Sequence, residues 1–263
     1  MSTATFYDQV RTAVTNRVPV ALATVVRGTS LGAKVLILPD EVQGRIGDDA
    51  LTGQITLDAR SLLRDERSET RPYELNGEPI EIFIESFPPP PLLVIFGAVH
   101  VAQPLSRLGK QLGFRVVVTD ARSPLATAER FPDADEIIVA WPDDALTQID
   151  IAPTTFIAIL THDPKFDEPA LSGALTTEAR YIGAVGSRKT NEDRRERLRA
   201  AGVDEAHLER LHAPIGLNIG GETPEEMAIS ILAEMIAVRH GRPGGQLSNA
   251  EGSIRGQVTS PVG

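Results

Sequence analysis

The chain has 263 residues, 41% hydrophobic and 24% charged, which is the composition of one large or two ordinary globular domains. A formal net charge of -10 and a pI near 5.0 argue against a binder of duplex nucleic acid or of an anionic membrane. The absence of cysteine excludes disulfides, thiol catalysis and thiolate metal sites. With no apolar run long enough to span a membrane and no signal-peptide pattern at the start, the expectation is a cytoplasmic protein.

Taken in order, residues 3–17 have helical spacing, with Phe6, Val10 and Val14 in one row. Residues 18–26 and 33–38 read as strands, a short third strand is expected to finish at residues 44–47, and residues 48–63 read as a helix. Residues 78–86 alternate polar and apolar and predict an edge or half-buried strand. Four prolines at 88–91 cannot donate to a sheet and favour a stiff extended segment. The expected division is therefore an α+β domain over 1–87, a linker at 88–91 and a second domain over 92–241. Residues 242–263, rich in Gly, Ser and Pro, read as a disordered tail.

The second domain opens with LLVIFGAVHVAQPLSRLGKQLGFRVVVTD, residues 92–120. An apolar run, a glycine, a helix-period stretch and a second apolar run ending on an acid make the first unit of a Rossmann-like parallel sheet. Strands at 136–140, 154–161 and 179–182 continue the rhythm, with helices near 143–149, 167–178 and 187–201. The last of these carries so many interleaved Arg and Glu residues that it reads as a solvated, ion-paired face. Thr223-Pro224-Glu225-Glu226 is a complete helix start, followed by apolar residues to about 239 and a stop at Gly241.

Ligands of open α/β sheets sit beyond the carboxyl ends of the strands, and four stretches fall there. The first holds Gly97 and His100. The dinucleotide fingerprint would have a second glycine at position 99, where this chain has Val99, so a branched side chain stands where pyrophosphate would press. Asp120 is placed as a ribose acceptor or as an ordinary turn residue, and Arg122 could pair with it or meet a phosphate. The second stretch, Thr161-His162-Asp163, offers an acid/base pair or a helix start. The third runs through Gly183, Gly186, Ser187 and Arg188, a second anion cradle or an ordinary β–α turn. The fourth is the loop with Pro214, Gly216 and Gly220. The five histidines show no metal-ligand spacing, and no Walker A sequence occurs.

The runs FGAVHVAQPL, YIGAVGSRK and RLHAPIGLNIGGETPEEMAISILAEMIAVR, within a stretch from about Pro19 to Gly241, resemble the XdhC/CoxI family of accessory proteins for molybdenum hydroxylases. The resemblance implies a non-catalytic chaperone that carries molybdenum cofactor (molybdopterin) as cargo. It also implies help with the cofactor's maturation and with its insertion into a xanthine-dehydrogenase-like or CO-dehydrogenase-like apoenzyme. A cysteine desulfurase would be a further partner and a homodimer the expected assembly. Read from the four strand-end stretches, the candidate cofactor-binding set is Gly97, His100, Asp120, Arg122, His162, Gly183, Gly186, Ser187, Arg188, Pro214, Gly216 and Gly220. Where the family has a G-G-G-C-V-E segment, this chain reads Gly47-Asp48-Asp49-Ala50-Leu51-Thr52-Gly53. The alternatives are an NAD(P)-dependent oxidoreductase and a ligand-free docking module.

Overall fold

The structure is a computed structural model that describes residues 5–250. The chain divides into two compact units, the first running to Pro89 and the second from Pro90 to Gly245, with the segment from Gln246 grouped with the first.

The first unit is a five-stranded antiparallel sheet in the order β3-β2-β1-β5-β4, made of β1 (Val20–Arg27), β2 (Lys34–Ile37), β3 (Val42–Gly44), β4 (Glu69–Leu75) and β5 (Glu78–Phe87). Helices α1 (Phe6–Thr15) and α2 (Asp49–Arg64) cover its two faces. Strand alternation explains this: Ala21, Ala23 and Val25 pack with Ile55, Ala59 and Leu62 of α2, whereas Val20 and Leu36 pack with Val10 and Ala13 of α1. Thr5 and Asp8 close a capping box on α1, and the Asp48 side chain caps α2.

The strand readings of this unit meet the structure as follows. Of the two readings of 78–86, the half-buried one holds: β5 alternates buried and partly exposed residues but lies inside the sheet, between β1 and β4, and not at its edge. Its outer neighbour β4 went unread because Pro72 interrupts it, as an edge strand tolerates. The short third strand ends at Gly44, because Gly47 belongs to the turn that enters α2.

The second unit is a six-stranded, wholly parallel sheet of β6 (Leu92–Phe96), β7 (Arg115–Thr119), β8 (Glu136–Ile138), β9 (Thr155–Ile159), β10 (Tyr181–Ala184) and β11 (Leu211–His212). The order β8-β7-β6-β9-β10-β11 is the 3-2-1-4-5-6 arrangement of a doubly wound dinucleotide-type fold, with its switch point between β6 and β9. Both faces are covered, so the strands are apolar throughout, and Leu92–Phe96 and Thr155–Ile159 are buried at every position. Leu93 and Ile95 meet α3 (Ala102–Gln111) and α8 (Pro224–Arg239) on one face. Leu92, Val94 and Phe96 meet α4 (Pro142–Gln148), α5 (Pro164–Leu175), α6 (Arg188–Ala200) and α7 (Glu205–Glu209) on the other.

The Thr223 capping box starts α8 as its sequence requires. Helix α6 is only partly the solvated element its charges suggest, since Asn191, Arg194 and Leu198 form a buried stripe. The two-residue β11 and five-residue α7 are too short to carry a periodic signal. In the segment read as a disordered tail, residues 242–250 are exposed and include a 3-10 turn, Leu247–Asn249, while 251–263 lie outside the described residues.

Candidate functional site

The carboxyl end of β6 faces that of β9 at the switch point. Gly97 has φ +100°, and a Cβ there would stand 2.5 Å from Thr161 Cγ2 and 3.2 Å from the Thr161 nitrogen. Only glycine fits, on grounds of both conformation and space. The Gly97 N–H donates to the Thr119 carbonyl at 2.8 Å, and the next N–H, that of Ala98, donates to Asp120 Oδ2 at 2.8 Å.

Asp120 is thereby engaged. Its Oδ1 accepts from the Arg122 backbone N–H and from Arg122 Nε, both at 2.9 Å, and its Oδ2 also accepts from Arg122 Nη2 at 2.8 Å. Burial pushes this carboxyl up, but the Arg122 guanidinium and backbone and the Ala98 N–H outweigh it and hold it below the usual carboxylate range. The Asp120 side chain is 3% exposed and that of Arg122 is 43% exposed, so the pair presents only its cationic half outward. A ribose hydroxyl would have to displace donors already in place.

Beyond this pair lies an open cleft of about 460 Å³ lined by Val99, Arg122, Thr161, His162, Asp163, Pro164 and Phe166. Arg122 lies 5.5 Å over the Phe166 ring, which stacks on Trp141 with centroids 5.1 Å apart. Lys165 Nζ sits 4.8 Å from the Trp141 centroid. The rim therefore joins two cations to an aromatic wall, a combination that suits a flat, anionic molecule. Of the two readings of His162-Asp163, Asp163 takes the helix start: its Oδ1 accepts from Lys165 N–H and caps α5, while His162 is exposed on the cleft wall.

Beneath the cleft floor is a buried network that sequence reasoning missed. Thr161 Oγ1 donates to Asp167 Oδ1, and Arg194 Nη2 donates to Asp167 Oδ2 at 2.7 Å. Arg194 Nη1 donates to the Val185 carbonyl at 2.8 Å and to Asn191 Oδ1. Asn191 Nδ2 in turn donates to the Gly186 and Ser187 carbonyls. One guanidinium thus ties the loop after β9 to the turn after β10. Desolvation raises the Asp167 carboxyl above its ordinary value despite Arg194, and Arg194 Nε has no hydrogen-bond partner among the described residues. A signal existed: Leu198 is the only large apolar residue of α6, and Arg194 and Asn191 precede it by four and seven residues, on the same face.

The remaining expected residues are dispersed along the carboxyl edge of the sheet. Gly183 is a packing glycine, since a Cβ would come within 2.6 Å of Ile215 and 2.7 Å of the Tyr181 hydroxyl. Ser187 caps α6 by accepting from Thr190 N–H at 3.1 Å, and Arg188 is exposed with no partner among the described residues. In the loop before α8, Gly216 N–H donates to Glu234 Oε2 at 2.7 Å. Glu234 also accepts from the Tyr181 hydroxyl and faces His212 Nδ1 at 3.3 Å. Burial raises the Glu234 carboxyl, yet its bonds to His212, Tyr181 and Gly216 bring it below its ordinary value. Pro214 and Gly220 are exposed on the same loop. His100 is set apart, in a separate groove of about 360 Å³ with Gln103, Arg107, Glu129 and Arg130. The structure thus brings Gly97, Asp120, Arg122 and His162 together and leaves His100 elsewhere.

Fold and site define a doubly wound Rossmann protein whose acid at the end of the second strand is engaged by the arginine two residues on. The chain belongs to the XdhC/CoxI family: residues 93–235 match the XdhC Rossmann domain and residues 13–74 match the XdhC and CoxI family. It is 36% identical over 170 residues to the Escherichia coli protein YqeB, and the match covers 64% of this chain and 31% of that one. It is 35% identical over 158 residues to a probable xanthine dehydrogenase subunit of Bacillus subtilis, covering 60% and 46%. With the molybdenum cofactor insertion chaperone PaoD of Escherichia coli it shares 29% identity over 141 residues, covering 50% and 43%. The matches span between about a third and a half of these relatives' lengths. In fold it is similar to a solved xanthine dehydrogenase from Bacillus halodurans, with a TM-score of 0.54, 24% identity, and coverage of 94% of this chain and 98% of that one.

Proposed function

We propose that this protein binds molybdenum cofactor of the molybdopterin type as cargo and helps to mature it and insert it into a xanthine-dehydrogenase-like or CO-dehydrogenase-like apoenzyme. Family membership supports the class of activity, and a relative is named as a molybdenum cofactor insertion chaperone. The observation that carries the reading is the engaged Asp120 beside a cationic, aromatic cleft. Four donors on that carboxylate disfavour a ribose there, while Arg122, Lys165, Phe166 and Trp141 match a planar pterin that bears a phosphate. In this reading Arg122 and Lys165 hold the phosphate, Phe166 walls the ring and His162 donates a hydrogen bond from the rim. The molybdenum arrives on the cofactor's own dithiolene, and no protein thiolate is required.

The test is a comparison of ligands on protein purified without oxygen: pterin fluorescence after oxidation of the purified sample, then titration of the apo protein with molybdenum cofactor, NAD and NADP. Micromolar or tighter cofactor binding that Arg122→Ala weakens is the expected result. Tight NAD(P) binding with no affinity for the cofactor would overturn the reading.

A further inference from the structure

The four acceptor positions of the Asp120 carboxylate are filled in pairs. Oδ1 accepts from the Arg122 backbone N–H and Nε, and Oδ2 from the Ala98 N–H and Arg122 Nη2, each at 2.8 or 2.9 Å. The two guanidinium bonds form a fork with one prong on each oxygen. The two hydroxyls of a ribose would meet an acid at this place in a dinucleotide fold in the same way. With its side chain 3% exposed and two donors fixed in the backbone, Asp120 is open to a sugar only from the side that Arg122 covers. The space beside the fork is closed too. Phe166 lies under Arg122 and stacks on Trp141. The cavity left between Asp120, Ala121, Ala140, Pro142 and Phe166 measures about 10 Å³, the size of one water and far short of a purine.

Resting on the cleft as the cargo site, we infer that Arg122 and Phe166 are built-in stand-ins for a nucleotide, the first for its ribose and the second for its base. Together they set the ligand class: planar, phosphate-bearing molecules enter the cleft and ribonucleotides are turned away. The competition is unequal. A charge-assisted fork is about twice as strong as bonds from neutral hydroxyls, and a side chain tethered two residues away competes at an effective concentration on the order of millimolar. Holding Asp120 leaves Arg122 its capacity for phosphate, because Nη1 and the second Nη2 proton stay clear of the carboxylate and the side chain is 43% exposed. One guanidinium thus rejects the sugar and receives the phosphate.

Calorimetry with ADP and 2′-deoxy-ADP, run beside the titration with molybdenum cofactor, tests this. The double variant Arg122→Ala/Phe166→Ala, checked for a cooperative thermal transition, should bind ADP at least about tenfold tighter than the unsubstituted chain, the worth of one hydrogen bond to a charged group. The gain should be smaller for 2′-deoxy-ADP, which lacks one of the two donors, and should vanish when Asp120→Asn is added. A folded double variant with no gain, or with equal gains for the two nucleotides, would overturn the inference. So would ADP binding by the unsubstituted chain at the double variant's affinity. If the double variant does not fold, Arg122→Lys carries the test, because it keeps the charge and cannot fork. It should bind ADP tighter than the unsubstituted chain, and no difference would overturn the inference equally. Failure of the cargo reading shows separately, as no binding of molybdenum cofactor by the unsubstituted chain.

Discussion

Replacing Arg194 with methionine removes one side of a pair whose members are 1% and 3% exposed, and leaves the Asp167 carboxylate with the Thr161 hydroxyl as its side-chain hydrogen-bond donor among the described residues. The Val185 carbonyl and Asn191 lose their guanidinium partner in the same step. Breaking a buried pair in this way costs about 3–5 kcal/mol, a large share of the roughly 5–15 kcal/mol that holds a domain together. The direction with pH follows from Asp167. Its folded-state value already lies above the ordinary one, and loss of Arg194 raises it further. A carboxyl raised on folding favours the native state below its unfolded value, and that advantage is lost as pH rises through the folded value. The cost of Arg194→Met should therefore be larger at pH 7 than at pH 5. Urea unfolding followed by fluorescence isolates the Rossmann unit, because the chain's one tryptophan, Trp141, stacks on Phe166 at the cleft. A loss below about 1 kcal/mol, or a loss that grows toward acid pH, would refute the buried-pair account.

Gly97→Ala should destabilise the Rossmann unit by about 1–3 kcal/mol, from left-handed backbone strain and the collision with Thr161, and thermal unfolding measures it. Val99→Gly alone should leave NAD affinity unchanged in calorimetry, since the Ala98 N–H stays committed to Asp120; a clear gain would show that the side chain at position 99 was the barrier. Arg188→Ala should weaken cofactor binding less than Arg122→Ala, because the Arg122 guanidinium lines the cleft; the reverse order in parallel titrations would move the site to the turn after β10.

The sequence by itself determined the Rossmann unit. Buried parallel strands must be apolar along their length, so β6, β7 and β9 stand out as runs, and the Thr223-Pro224-Glu225-Glu226 cap marks α8 because its hydrogen bonds are local. Gly97 was legible as a turn for the same local reason. Tertiary structure alone decided the interior place of β5, since alternation reports one buried face and says nothing of neighbours on either edge. It also decided that Asp120 spends its lone pairs on Ala98 and Arg122, because the Ala98 N–H lies 22 residues away in the chain. Arg194 is the clearest case. In a helix of alternating charges, an arginine bound for solvent and one bound for a buried aspartate look alike, and only the fold that carries Asp167 to within 2.7 Å of its guanidinium distinguishes them.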